Sequence, residues 1–430
     1  MTRNFLSRRS ILKTAAAFIA SAAHPAMAGG AENTASSKAR VHIIIIGGGF
    51  GGASAARAAR TAMPSAKVTL LIDQPRFWMC PGSNSVIAGY HELANIEVGY
   101  DALEALGITV QLDPAKSIDA DKKIVTTESG RLLGYDKLIM SPGVAFNYDS
   151  IEGLSLETID RVPHAWKAGP QTVLLKRQLQ AMPEGGVFVM TMPPSPYRCP
   201  PAPAERACLV ADYLKKHNPR AKLLVLDAKD EFPFQDVYTE AWHAMYADII
   251  EYRSIANDGL VRRVDSESLI AYSDFGEEQA DVLNVIPPQT AGRIALEAGA
   301  ADETGWCPVD ITSFASTLLR DVYVIGDSAL ANPLPKAGST AASQALVAID
   351  AIVAELNGEA APTPSWVASC YSLAAPDYGV KLGAAYDFED GHVVRSSTNF
   401  SVLGESAEAR AADARFAEAW LEQIKNEIWG

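Results

Sequence analysis

Basic residues, cysteines and long apolar runs are all scarce in this 430-residue chain. Lys and Arg number 37 against 51 Asp and Glu, a formal charge of -14, so no broad basic face is expected to hold nucleic acid. Five cysteines are too few to staple a chain of this size, and their odd number leaves at least one thiol for burial or for chemistry. The seven histidines show no paired spacing with cysteine or carboxylate, and C-x-x-C-H is absent, so neither zinc nor an attached haem is expected on this chain. Past the first 28 residues no run of eighteen apolar residues occurs, which argues against an integral membrane segment. A hydrophobic content of 48% nevertheless supplies large packed cores, and the length suits two or three domains.

The first 28 residues read as an address. Arg3 and the pair Arg8-Arg9 precede Ile11-Leu12-Lys13, an Ala-rich apolar stretch from Thr14 to Ala23 follows, and Ala26-Met27-Ala28 closes the segment. That order is a twin-arginine export signal with its small-residue cleavage site. The segment holds no acidic residue, so the remainder is more acidic than the whole. The expected destination is the periplasm, which permits disulfides and offers essentially no free NADH. This route carries folded proteins, so a cofactor loaded before export is expected.

The mature part opens on a dinucleotide signature. Val41 to Ile46 is an apolar, β-branched run fit for a parallel strand covered on both faces. Gly47, Gly49 and Gly52 follow at once in a G-x-G-x-x-G frame, and Ala53 to Ala62 continues with helix formers. Gly47 allows the tight turn, Gly49 admits a pyrophosphate against the backbone, and Gly52 lets helix pack on strand. A second strand, Val68 to Ile72, ends at Asp73, about twenty residues past Gly52, where a carboxylate can accept from a ribose hydroxyl. Further on, Val322 to Ile325 runs into Gly326-Asp327, the place where two-dinucleotide flavoproteins set a carboxylate on the ribityl chain of FAD. Lys137 to Met140 ends in Ser141-Pro142-Gly143, where such chains cross to their second domain. The helix expected from Ser339 to Leu356 begins at Gly338 and would aim its positive end at the flavin.

From about Glu152 to Pro287 the pattern repeats: a strand at Val187 to Met190, a helix from Ala204 to Lys216, and a strand at Leu223 to Leu226 ending in Asp227. The glycine loop is gone. Thr191-Met192-Pro193-Pro194-Ser195-Pro196 stands in its place, with prolines where amide donors are needed, so NAD(P)H is not expected to bind. The cysteines divide less sharply. Cys80, in Phe77-Trp78-Met79-Cys80-Pro81, is either a small buried thiol or a residue reaching the flavin edge as a thioether. Cys199, Cys208, Cys307 and Cys370 share no C-x-x-C spacing, and no pairing follows from their positions.

Taken together these segments resemble the flavoprotein subunit of flavocytochrome c sulfide dehydrogenase and the related flavoproteins of bacterial thiosulfate-oxidation systems. The resemblance covers almost all of the mature chain. It rests on Gly47 to Gly52, the Cys80-Ser83-Asn84 region, His164 to Gly169, Arg198-Cys199-Pro200-Pro201, Ile286 to Gln289, Gly305 to Asp310, Ile325-Gly326-Asp327 and Cys370-Tyr371-Ser372. Phe77-Trp78-Met79 departs from it where tyrosines are usual, as do Pro81-Gly82 and Cys208.

The resemblance implies an α/β fold of two Rossmann-like dinucleotide-binding domains of the glutathione-reductase type plus a small C-terminal α+β domain. The FAD-binding domain would comprise 40–151 and 288–360, the second unit 152–287 without a nicotinamide site, and the C-terminal flavocytochrome-type domain 361–430. It implies FAD held covalently through Cys80 at the flavin 8α-methyl, a redox disulfide of Cys199 with Cys370, and Glu205 as acid/base. The alternative for Glu205 is an exposed first-turn carboxylate on its helix. The expected activity is oxidation of sulfide, or of a protein-bound persulfide, to zero-valent sulfur or polysulfide, with electrons leaving to a c-type cytochrome subunit. Two rivals stand beside it: sulfide:quinone oxidoreductase, and a non-catalytic flavoprotein partner of a sulfur-carrier complex. Residues Glu408 to Ile428 read as an amphipathic helix with little apolar bulk, a weak candidate for a membrane contact.

Overall fold

The computed structural model describes residues 40–430, and the segment 1–28 expected to be an export signal lies outside them. The first unit begins with β1 (His42–Ile46), α1 (Phe50–Ala62), β2 (Lys67–Ile72), β3 (Thr109–Leu112) and β4 (Lys137–Met140). Ile43, Ile44 and Ile45 have no exposed surface, as expected of a parallel strand covered on both faces. Ala53, Ala55, Ala56 and Ala59 are fully buried on α1, and such small side chains let the helix lie close to the sheet.

The second unit holds β5 (Val187–Met192), α2 (Ala202–His217), β6 (Lys222–Asp227), β7 (Ile250–Arg253) and β8 (Val282–Asn284). Its four strands are parallel in the order β7-β6-β5-β8. The chain then returns to the first sheet as β9 (Val322–Val324), completing the parallel order β9-β4-β1-β2-β3, and continues into α3 (Gly338–Asn357). Both orders are dinucleotide-fold halves, in which the direction of winding reverses beside the first strand. Val144–Phe146 and Gln289–Ala291, the outgoing and returning crossings, pair antiparallel with each other.

The last segment forms an antiparallel sheet, β10 (Ser365–Ala375), β11 (Tyr378–Glu389) and β12 (His392–Phe400), followed by α4 (Ala407–Trp429). Its side chains do not gather into a core of their own. Trp366, Tyr386, Leu421, Ile424 and Trp429 join the core of the first unit, while Ala374, Val380 and Leu382 join that of the second. The segment is therefore a wedge seated against both units. This corrects the reading of α4 as an amphipathic helix with little to bury. Its end caps the glycine loop: the Trp429 ring stacks on Phe77 at 5.5 Å, and its Nε1 donates to the carbonyl of Gly48 at 3.3 Å. Helix α3 has the length and apolarity of a membrane span, yet 56% of that window is buried inside the protein.

Candidate functional site

A cleft of about 330 Å³ opens where Gly47, Gly49, Gly143, Gly326 and Gly338 meet. It lies past the ends of β1 and β4, where the winding reverses and doubly wound sheets bind their ligands. The glycine loop is tight. Gly47 has φ +98°, and a Cβ there would lie 2.3 Å from the carbonyl oxygen of Ser141. A Cβ on Gly52 would lie 1.8 Å from the carbonyl oxygen of Gly47, so Gly52 serves packing beneath the loop rather than lining the cleft. Asp73 stands on the cleft wall with its side chain 64% exposed, and Lys167 Nζ reaches it at 3.6 Å. Asp327 also lines the cleft, and burial raises its carboxyl above the ordinary range, against the pull of Arg198 and Lys336.

Two further groups in the cleft carry no assignment from sequence. Arg198 donates Nη2 to the carbonyl of Trp166, but its buried Nε has no partner among the described residues. Lys336 lies over the Trp306 ring at 3.8 Å, donates to the carbonyls of Asp327 and Ala329, and is pushed down to about 8 by burial. A bare glycine turn, an exposed ribose-seeking carboxylate and an orphaned guanidinium nitrogen fit an anionic dinucleotide such as FAD.

Three of the five cysteines line this same cleft: Cys80, Cys199 and Cys370. Cys199 sits just before α2 with φ +55°, a conformation a non-glycine residue holds only under surrounding constraint, here its amide donating to the carbonyl of Lys336 at 2.7 Å. Cys370 comes from the middle of β10, opposite Leu382. Both are thiols in this structure. The neighbouring Cys370 thiol, then burial, then the charge of Glu205, holds the Cys199 thiol well above its usual range. Cys80 approaches the Trp166 carbonyl with its sulfur at 3.9 Å. The remaining two cysteines are buried: Cys208 accepts from Trp242 Nε1 at 3.1 Å, and burial pushes Cys307 up to about 12.

Glu205 lies in the first turn of α2, and it is not the exposed helix-end carboxylate that its position allowed. Asn84 Nδ2 donates to it at 2.7 Å and the Leu373 amide at 3.0 Å. Burial raises its carboxyl above the usual range, and those donors oppose the rise. Beside it the fully buried Arg206 bonds Asn84, Asn284 and the carbonyls of His164 and Ala165, and burial lowers it to about 9. His164 is pushed down to about 3 by burial and the nearby Arg198 and Arg206, which keeps it neutral.

In the second unit the region after β5 is closed. The position matching Asp73 is Asp227, which is fully buried and bonded to Lys229 at 2.6 Å and Tyr252 at 3.0 Å.

Fold and cleft together define a flavoprotein of the two-dinucleotide-domain disulfide oxidoreductase class. Residues 41–171 match the family model described as pyridine nucleotide-disulphide oxidoreductase, 172–287 the central part of the sulfide dehydrogenase [flavocytochrome c] flavoprotein chain, and 362–429 the flavocytochrome c sulphide dehydrogenase flavin-binding model. A 44-residue stretch is 48% identical to the sulfide dehydrogenase [flavocytochrome c] flavoprotein chain of Chlorobaculum thiosulfatiphilum, covering 92% of that sequence and 10% of this chain. The chain belongs to the flavocytochrome c sulfide dehydrogenase flavoprotein family, a sulfide-oxidising, FAD-binding group. It is also 25% identical to the mitochondrial sulfide:quinone oxidoreductase of Mus musculus over 311 residues, 67% of this chain and 66% of that one, just under two thirds. The match to the sulfide-quinone reductase of Aquifex aeolicus is 36% over 103 residues, 24% of each chain. The solved structure of the sulfide:quinone oxidoreductase from Aquifex aeolicus superposes with a TM-score of 0.72 at 21% identity, covering 90% of this chain and 92% of that one.

Proposed function

We propose that this chain is a periplasmic sulfide dehydrogenase flavoprotein. It oxidises sulfide to zero-valent sulfur or polysulfide through a Cys199–Cys370 redox disulfide, and passes electrons to a c-type cytochrome subunit. The observation that carries the reading is the meeting of Cys199 and Cys370 in the cleft shared by Cys80, Asp73 and Asp327, with Glu205 beside them. FAD bound there, attached through Cys80, supplies the two-electron acceptor.

The chain's own residues do the rest. Hydrosulfide attacks one sulfur of the disulfide, leaving that cysteine as a persulfide and the other as a thiolate. A second hydrosulfide removes the outer sulfur as a hydrogen disulfide ion, leaving two thiols whose bond would re-form as their two electrons pass to the bound flavin. The backbone at Cys199, pinned by the Lys336 carbonyl, holds its sulfur toward Cys370. Glu205, held by two donors yet raised by burial, is suited to exchange a proton at the thiols. Asp73, Arg198 and Asp327 would hold the dinucleotide.

The likeness to the mouse and Aquifex enzymes supports a second reading, in which a quinone takes the electrons. One experiment separates these from a non-catalytic docking role. Mass and absorbance of the denatured protein locate the flavin, and anaerobic sulfide titration is followed by cytochrome c or a short-chain quinone. Flavin retained on the Cys80 peptide, bleached by sulfide and reoxidised by cytochrome c, is the expected result. Flavin that dissociates and ignores sulfide would refute both enzyme readings.

A further inference from the structure

A second cavity, about 20 Å³, adjoins the first and shares Pro81 and Trp420 with it. That space suffices for one water. Glu205 borders it from the thiol side, Ser85 and Tyr371 flank it, and His91 and Glu418 complete its lining. His91 Nε2 lies 3.1 Å and 3.0 Å from the two Glu418 oxygens, and these side chains are 19% and 49% exposed. A desolvated carboxyl and a solvent-facing imidazole–carboxylate pair thus border one water-sized space.

We propose that a water in this cavity passes the proton of the oxidised sulfide from Glu205 to His91 and Glu418, and so to bulk solvent. The inference rests on the sulfide-oxidising reading above and deepens it. Oxidation of hydrosulfide to zero-valent sulfur yields one proton and two electrons. The substrate sulfur bonds to one cysteine as the Cys199–Cys370 bond breaks, and the electron pair goes to the other cysteine, thence to the flavin and the cytochrome. A proton taken up on two-electron reduction of the bound flavin would be returned when the cytochrome reoxidises it, so each full turnover leaves the one sulfide proton to be carried out of a desolvated site.

The charges around both ends suit this. On α4, Glu418 is the largest influence raising His91 above its ordinary range, burial opposes it, and Glu422 adds to the rise. Glu92, next in the chain, is engaged by Lys176 at 3.1 Å. Around Glu205 stand Arg206, the Cys199, Cys208 and Cys370 thiols and the Tyr238 hydroxyl, which bonds Ser372 at 2.7 Å. His91 acts through Glu205 and the water, so it is a positioning and relay group rather than a catalytic one.

Anaerobic stopped-flow of the flavin-loaded protein with sodium sulfide and ferric cytochrome c as the electron acceptor, in weak buffer with a pH-indicator dye, reads flavin bleaching and proton release separately, the acceptor being needed because reduced flavin alone would retain a proton. The wild type should show the two together. His91→Gln should delay proton release by about tenfold or more, with recovery on adding imidazole. Glu418→Gln should move the pH dependence of release to lower pH, because His91 loses its carboxylate. Ala417→Val, which fills the cavity without removing a charge, should give the same delay, with thermal melting checking the fold. Bleaching and release at wild-type timing in both His91→Gln and Ala417→Val would overturn the relay alone. A wild-type flavin that sulfide does not bleach would overturn the functional reading and this inference with it.

Discussion

The turn after β1 and the turn after β5 belong to the same strand–turn–helix unit put to opposite uses. After β1 the backbone is stripped to glycine, the acid at the end of β2 is exposed, and the cleft stays open. After β5 the turn holds Pro193, Pro194 and Pro196, and the acid at the end of β6 is locked by Lys229 and Tyr252. The entry to the helix that follows brings Cys199 to the other unit's cleft and Glu205 to the small cavity beside it, instead of a phosphate cradle of its own. One copy of the fold lines an open glycine cleft, while the other presents a cysteine to that same cleft. The lesson is that helix entries are positioning devices, and the residues set there decide whether they take an anion or present a nucleophile.

The sharpest way to break this division is at the thiols. Ser at Cys199 or Cys370 should leave the flavin spectrum intact and cut sulfide-driven bleaching by roughly 10³-fold or more. Stopped-flow absorbance reads both, and a wild-type rate in either variant would remove the second copy's assigned role. Glu205→Gln should follow at about 10²-fold. Its raised carboxyl gains the base form only above the usual carboxylate range, so the wild-type rate should climb with pH across that interval and the variant should lose the climb.

The two acids sharpen the comparison in stability and cofactor retention. Asp227→Ala strands a buried Lys229 and should cost about 3–5 kcal/mol in denaturant unfolding, with the flavin spectrum unchanged. Asp73→Ala, at a 64% exposed side chain, should leave Tm alone and instead weaken FAD retention in a Cys80→Ser background, read by ultrafiltration. The smallest expected effect is none: NADH or NADPH added anaerobically should not bleach the flavin, because the closed second turn offers no pyrophosphate site.

Much of this was legible in the sequence where the signal is local. Gly47 to Gly52, Asp73, Gly326-Asp327 and the proline-filled turn announce themselves within a strand and its neighbouring loop, because backbone geometry restricts which residues fit there. The meeting of Cys199 with Cys370 was not legible from spacing and came only through resemblance, since the two lie 171 residues apart on different units. Arg198 stood inside a quoted motif with no role, and its unpartnered Nε becomes meaningful only once the cleft is seen. Trp429 lay just beyond the stretch read as a helix, and the mixed charge of that helix hid its buried side. A helix with mixed charge looks peripheral until Leu421, Ile424, Ile428 and Trp429 are found in the core beside Phe50 and Phe77.

The most direct test is rapid-quench mass spectrometry of the cysteine peptides during anaerobic reaction with sulfide, with flavin absorbance recorded alongside. A Cys199–Cys370 disulfide peptide that disappears as the flavin bleaches, replaced by a persulfide on one of the two cysteines, is the predicted result. Bleaching while that pair stays unreacted, or sulfur found on Cys208 or Cys307 instead, would contradict it.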